Sequence, residues 1–254
     1  VFQLESRVAQ STSRSLKPKR FEDIVALVAL IRPGPLGAGM HNEFADRANN
    51  RKEIEYLHND LESILNETYG VILYQEQVMQ IAEKIAGFNL QEADNLRVAM
   101  GKKIPKVMEE QRKKFTDGAV SNNYSEQFAI ELFDQIAYFA GYGFNKSHSV
   151  PYALLAYQTA YLKANYPAEY IAACLTAVKR DKDRTAIFLS EARDMGVKVS
   201  TPDINLSSSD FTVNDNEILF GLSAVRNVGD ITADKIVFER ESNGDFKSIE
   251  EFLS

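Results

Sequence analysis

Cysteine is nearly absent: Cys174 is the single thiol in 254 residues, so no internal disulfide and no cysteine-built metal site can form. It sits in an apolar stretch, 170–178, where packing is its expected role. Histidine is scarce as well. His41, His58 and His148 stand far apart and none belongs to an HxxxH pair, which leaves zinc without a ligand set. No apolar run is long enough to span a bilayer. The opening residues Val1-Phe2-Gln3-Leu4 show neither a basic n-region nor an apolar h-region, so no secretory leader is expected and the chain reads as a cytoplasmic fragment with no membrane partner. An excess of positive charge is missing too. A net charge of −7 argues against a free-standing basic DNA binder, so any anion site has to be local.

Several catalytic signatures are also lacking. The chain has no G-x-x-x-x-G-K-[ST] loop, no G-x-G-x-x-G fingerprint and no G-x-S-x-G elbow. Clustered carboxylates for a two-magnesium centre are missing: Asp181-Lys182-Asp183 has the D-x-D spacing, but it lies in a charged turn before a helix, where helix capping explains it better. No internal repeat or low-complexity segment interrupts the chain.

What is present is ordinary globular composition, 44% hydrophobic and 26% charged, enough for one large domain and part of another. Apolar spacing near 3.6 predicts a mainly α fold. Residues 21–31 are apolar on nearly every face and predict a buried helix halted by a rigid turn at Arg32-Pro33-Gly34-Pro35. A second helix is expected over 75–86, closed by Gly87. A third runs over 90–100, with Asn89 and Glu92 at capping-box spacing and Gly101 as its stop. Pro105 suits the first turn of a helix to about 119, and Ser125 can cap the next, which ends at 141–143. A long aromatic-rich helix is predicted over 150–166, broken by Pro167, with 168–178 helical beyond it. The texture then changes, placing a domain boundary between 1–178 and 179–254. The second part should hold a helix over 185–195, a small β-hairpin around Asn214-Asp215-Asn216, and a helical end with turns at Gly221, Gly229 and Gly244.

Three segments can carry chemistry. The polar loop at 141–149, GYGFNKSHS, feeds a helix N-terminus, and Lys146, Ser147, His148 and Ser149 supply donors for a phosphate or carboxylate. Simple helix capping by Ser147 or Ser149 explains the same residues. Arg97, Lys102, Lys103 and Lys106, followed by Arg112, Lys113 and Lys114, form the basic concentration of an acidic chain, unless they are only a solvated helix face with pairs such as Glu109 with Lys113. At 226–240, Gly229 lies in a turn between two helices, the kind of element that offers backbone amides to a DNA phosphate and is also common in structural roles.

Read together, the strings VFQLES (1–6), LVALIRPGPL (27–36), ETYGVILYQEQVMQIA (67–82), RVAMGKK (97–103), FAGYGFNKSHSVPYAL (139–154), YPAEYIAA (166–173), VSTPDIN (199–205) and GLSAVRNVG (221–229) resemble, in order and spacing, the bacterial C-family replicative polymerase alpha subunits. Residues 7–16 depart from the more basic, leucine-rich helix usual after the opening motif. The resemblance implies a multi-helix fingers domain over 1–178. A small β-hairpin and the first half of a tandem helix-hairpin-helix region would follow over 179–254. It implies a DNA-directed DNA polymerase whose palm aspartates and Mg2+ lie outside this fragment, leaving no catalytic residue within it and the fragment inactive alone. It assigns Arg97, Lys102, Lys103, Asn145, Lys146, Ser147 and His148 to phosphates of the incoming deoxynucleoside triphosphate or of the template-primer DNA, and Val228 and Gly229 to the duplex. Sliding clamp and other replisome subunits would be partners of the parent protein. A non-catalytic nucleic-acid or replisome-subunit binding module, or an error-prone paralogue, shares the same motifs.

Overall fold

The computed structural model describes residues 1–102, 104–140 and 142–253, the side chain of Ala140 excepted. The fold is mainly α, and the chain divides into two compact units, Val1–Tyr157 and Gln158–Ser254. The expected boundary after residue 178 falls inside the second unit, between two helices that pack on each other.

The first unit begins with α1 (Arg7–Leu16), α2 (Phe21–Leu30), α3 (Pro33–Gly37), α4 (Met40–Ala48) and α5 (Glu62–Leu65). It continues through α6 (Gln75–Ala86), α7 (Leu90–Lys102), α8 (Pro105–Ser121), α9 (Glu126–Ala140) and the start of α10 (Lys146–Asn165). The atypical segment 7–16 is still helical: Ser6 accepts from the Ala9 amide at 3.1 Å, and Ala9, Thr12 and Leu16, on one face, are buried. Helix α2 is as apolar as its sequence demands, with Ala26, Leu27, Ala29 and Leu30 fully closed off. The turn expected after it is instead the one-turn helix α3. Arg32 is extended, as a residue before proline must be, and Pro33 then occupies a first-turn position where its missing amide costs nothing.

Two cores stabilise this unit. One gathers Ile81, Ile85, Leu96, Phe115, Leu132 and Phe133 from α6 to α9; the other gathers Leu27, Leu30, Phe44, Leu73 and Tyr74 around α2 and α4. Helix α6 has its predicted bounds, and Gly87 closes it in the left-handed conformation at φ 67°. The Asn89–Glu92 capping box forms, with reciprocal bonds of 2.9 and 3.0 Å. Gly101 does not stop α7: Gly101 and Lys102 are both helical, and Ile104, ahead of Pro105, is extended. Ser125 caps α9 through the Phe128 amide at 3.2 Å. The glycine expected to end α9, Gly141, lies outside the described residues.

In the second unit α11 (Pro167–Val178) packs on α12 (Lys182–Asp194), and Asp181 caps the latter through the Arg184 amide at 3.1 Å. Strands β1 (Thr212–Asn214) and β2 (Glu217–Leu219) pair antiparallel with Val213 opposite Ile218. Asp215 and Asn216 both take positive φ, 47° and 65°, the twist a two-residue hairpin turn requires. Ile171, Leu175, Val197, Phe211 and Ile218 form the core. A 3-10 turn, Leu222–Ala224, then leads through residues 225–229 into α13 (Asp230–Asn243), and α14 (Ile249–Leu253) follows. Among the described residues, no helix is long and apolar enough to cross a membrane.

Candidate phosphate and nucleic-acid interface

Helix α10 starts four residues earlier than the aromatic pattern predicts, because its first turn is fixed by contacts distant in sequence. Asn145 is the cap: its side chain accepts from the His148 amide at 2.8 Å and its carbonyl from the Ser149 amide at 3.1 Å. Neither serine caps. Ser149 is fully buried and donates to the Val25 carbonyl at 3.0 Å, tying α10 to α2, while Ser147 is exposed. The backbone preceding the cap is pinned to the start of α6, with Phe144 bridging Tyr74 and the Gln75 amide donating to the Phe144 carbonyl at 2.9 Å.

This helix N-terminus already holds an anion of the protein's own. The Glu76 carboxylate accepts from the Lys146 amide at 3.0 and 3.1 Å, which is where a helix start favours negative charge. The Lys146 ammonium turns to Glu67, with bonds of 2.7 and 2.8 Å, and lies 5.6 Å from the Tyr74 ring centroid. A cleft of about 220 Å³ beside it is lined by Glu22, Glu67, Tyr74, Lys146 and Val150 among others. The His148 ring stacks at 4.5 Å on Tyr152 and meets Phe144 edge-on at 5.5 Å. The sequence-predicted loop is therefore a built helix start whose charges are largely balanced internally.

The basic corner between α7 and α8 is different. Arg97 bonds Asp94 at 2.8 Å, Lys114 bonds Glu92 at 2.7 Å, and Arg112 pairs with Asp134. Lys102, Lys106 and Lys113 are exposed and, among the described residues, have no carboxylate partner. Lys103 lies outside the described residues. No hydrogen bond or ion pair joins Arg97 or Lys102 to residues 145–148 among those described.

At the third segment the chain reverses through Arg226 and Asn227, Asn227 taking φ 68°, and the Val228 amide bonds the Val225 carbonyl at 3.0 Å. Gly229 is extended, and the first bond of α13 runs from Ala233 to the Gly229 carbonyl at 3.0 Å. The first-turn amides ahead of that bond, those of Asp230, Ile231 and Thr232, therefore have no intrahelical acceptor.

Several working side chains carry no local signature. Arg32 donates to the carbonyls of Ala29 at 2.8 Å and Tyr142 at 2.7 Å, with its guanidinium 4.2 Å above the Phe144 ring, so it holds the approach to α10. Burial lowers its pKa from the ordinary arginine value. Its string, IRPGPL, was visible in sequence, but the Tyr142 carbonyl that it holds lies 110 residues away. Glu67 and Glu76 were hidden for the same reason. A larger cleft of about 1330 Å³, between α4, residues 52–57 and α9, contains none of the predicted site residues. Among the described residues, no group of three or more His, Cys, Asp or Glu side chains could hold a metal ion.

Residues 1–123 match the family described as the bacterial DNA polymerase III alpha subunit finger domain, and residues 196–254 match a helix-hairpin-helix motif. The chain is 49% identical over 257 residues to the DNA polymerase III subunit alpha of Saccharopolyspora erythraea, covering all of this chain and 22% of that protein. It is 48% identical to the subunit from Thermus aquaticus, covering all of this chain and 21% of that protein, and 47% identical to the one from Escherichia coli, covering 98% and 22%. The chain thus spans about a fifth of the length of these relatives. Similarity to these alpha subunits thus runs end to end across both units, with residues 1–123 matching their finger domain and residues 196–254 a helix-hairpin-helix motif.

Proposed function

We propose that this chain forms the fingers of a replicative DNA-directed DNA polymerase, where it meets the incoming deoxynucleoside triphosphate and the template-primer DNA during nucleotidyl transfer. The observation that carries this reading is the α7–α8 corner. In a chain of net charge −7, Lys102, Lys106 and Lys113 are exposed ammonium groups without carboxylate partners, on a segment the family match covers. Such cations offset negative charge gathering on a leaving pyrophosphate, or hold a DNA phosphate, without reorganising. Asn145, Lys146, Ser147 and His148 would supply further contacts to the same ligands. Lys146 reaches a phosphate only by exchanging Glu67, and His148 offers its ring in the stack with Tyr152.

The reaction's magnesium ions do not fit the residues present, since no described acidic cluster could hold them. We place their ligands elsewhere in the longer protein, together with the contacts to a sliding clamp and other replisome subunits, so this piece alone should not incorporate nucleotide. The Val228–Gly229 turn and the α13 start would support the duplex through backbone amides, reading no sequence.

The test is single-turnover incorporation by the full-length polymerase, titrating deoxynucleotide for wild type, Arg97→Ala, Lys102→Ala and Lys146→Ala, with folding checked in parallel. A slower step or weaker apparent nucleotide affinity in folded variants supports the reading. Wild-type kinetics in all three would remove these residues from the catalytic complex.

A further inference from the structure

Lys179 ends α11 and lies outside the segment matched to the helix-hairpin-helix motif, yet it gathers that motif's turn from both sides. Its Nζ donates to Ser223 Oγ at 3.0 Å, in the 3-10 turn that enters residues 225–229, and to Asp230 Oδ1 at 2.6 Å, the first residue of the helix that leaves them. A third bond of 2.6 Å goes to Asp210 Oδ1 in the preceding loop. Ser223 in turn donates to the Ser209 carbonyl at 2.7 Å, so the loop and the turn share one anchor. Arg180 reaches the other Asp230 oxygen at 2.5 Å.

This geometry addresses an electrostatic difficulty. The open amides at the start of α13 favour an anion, but Asp230 sits among them with a carboxylate of its own, and Asp210 shares the same ammonium. Without Lys179 the two carboxylates would face each other across a single ammonium's width and repel both one another and an approaching phosphate. The side chain of Lys179 is 18% exposed, so solvent screens this arrangement less than an open surface pair. Its pKa is raised by its bonds to Asp210 and Asp230, and that of Asp230 is lowered by its bonds to Lys179 and Arg180, so the charges persist together.

We infer that Lys179 is a positioning residue for duplex binding: it holds and neutralises Asp210 and Asp230 so that the amides after Gly229 face a DNA phosphate without competing negative charge. The inference rests on the proposal that this turn supports the duplex.

The experiment is equilibrium binding of the full-length polymerase to a labelled primer-template duplex over a range of salt, with Gly229→Glu as the control for the turn itself. Lys179→Met should weaken binding about fivefold, the scale of one partly screened ion pair, and Lys179→Arg should not. The charge-balanced double variant Lys179→Met, Asp230→Asn should regain most of the lost affinity although the ammonium is gone. Weakening that Asp230→Asn does not relieve would mean that Lys179 touches DNA itself, and would overturn the positioning role. So would unchanged binding by Lys179→Met when Gly229→Glu binds poorly. If Gly229→Glu also binds normally, the turn does not meet the duplex, and both ideas fall.

Discussion

Asp23 is only 2% exposed, and it stays charged because five donors converge on it: the amides of Lys19 and Arg20 at 2.9 and 3.1 Å, Arg20 Nε and Nη2 at 3.3 and 2.9 Å, and the Tyr69 hydroxyl at 2.9 Å. Burial alone would raise its pKa, but these bonds outweigh it and hold the carboxyl below the usual aspartate range. A depressed folded pKa contributes stability above the unfolded value, and that stability is lost as pH falls through the folded one. Asp23→Asn should therefore cost about 2 kcal/mol at pH 7, with the gap to wild type shrinking below about pH 4. Urea denaturation at pH 7 and pH 3 measures this, and an equal gap at both would refute it. Lys146 poses the matching question with opposite sign. Since Glu67 holds its ammonium, Glu67→Gln should raise apparent nucleotide affinity in the single-turnover assay if Lys146 serves phosphate. If Glu67→Gln and Lys146→Met lower the melting temperature alike and leave nucleotide affinity untouched, the pair is only a staple. Lys146 stood out in the sequence by its loop; Glu67, 79 residues earlier, could not, because nothing local marks a side chain whose partner comes from another helix.

At the level of elements, close approach decides as much as propensity. Helix α8 crosses the end of α6 at Gly118, where an added Cβ would lie 2.2 Å from the Ala86 carbonyl oxygen. Backbone, unlike the tip of a flexible side chain, cannot step aside, so Gly118→Ala should destabilise the first unit by about 3 kcal/mol, although alanine is the better helix former. A thermal melt unchanged or raised would show that the two helices separate freely. The same contrast explains what could be read in advance. Helix α6, the Asn89–Glu92 box and the caps at Ser125 and Asp181 are local devices, and each is where its spacing puts it. The small hairpin was legible because only a few residues tolerate positive φ in succession, and Asp215 and Asn216 are of that kind. Misreadings occur where distant chain intervenes. Glu76 and Val25 extend α10 back to Lys146. The proline run after α2 winds into α3 because a first-turn proline is compatible with a helix as well as with a turn.

Across the whole molecule, 36 acidic residues outnumber 29 basic ones, so long-range attraction cannot bring this chain to DNA; only cations left unpaired by their neighbours can. Many basic side chains around the two helical cores are already committed. Arg20, Arg47, Arg97, Lys114 and Lys146 each have a carboxylate within 3 Å. That separates two groups within one basic stretch that the sequence alone presents as uniform: Lys102, Lys106 and Lys113 on one side, Arg97, Arg112 and Lys114 on the other. Each lysine that meets a duplex phosphate should add about 0.9 to the slope of log affinity against log salt. Replacing Lys102, Lys106 and Lys113 together by alanine in the full-length polymerase should therefore flatten that slope by about 0.9 for each such contact. Lys114→Ala should change it much less, because its charge is spent on Glu92. Equal flattening by both variants would show that the ion pairs open when DNA arrives, and that static pairing does not select the interface. A slope unchanged by either would move the DNA away from α7 and α8 altogether, and leave the nucleotide as the only phosphate those lysines could serve.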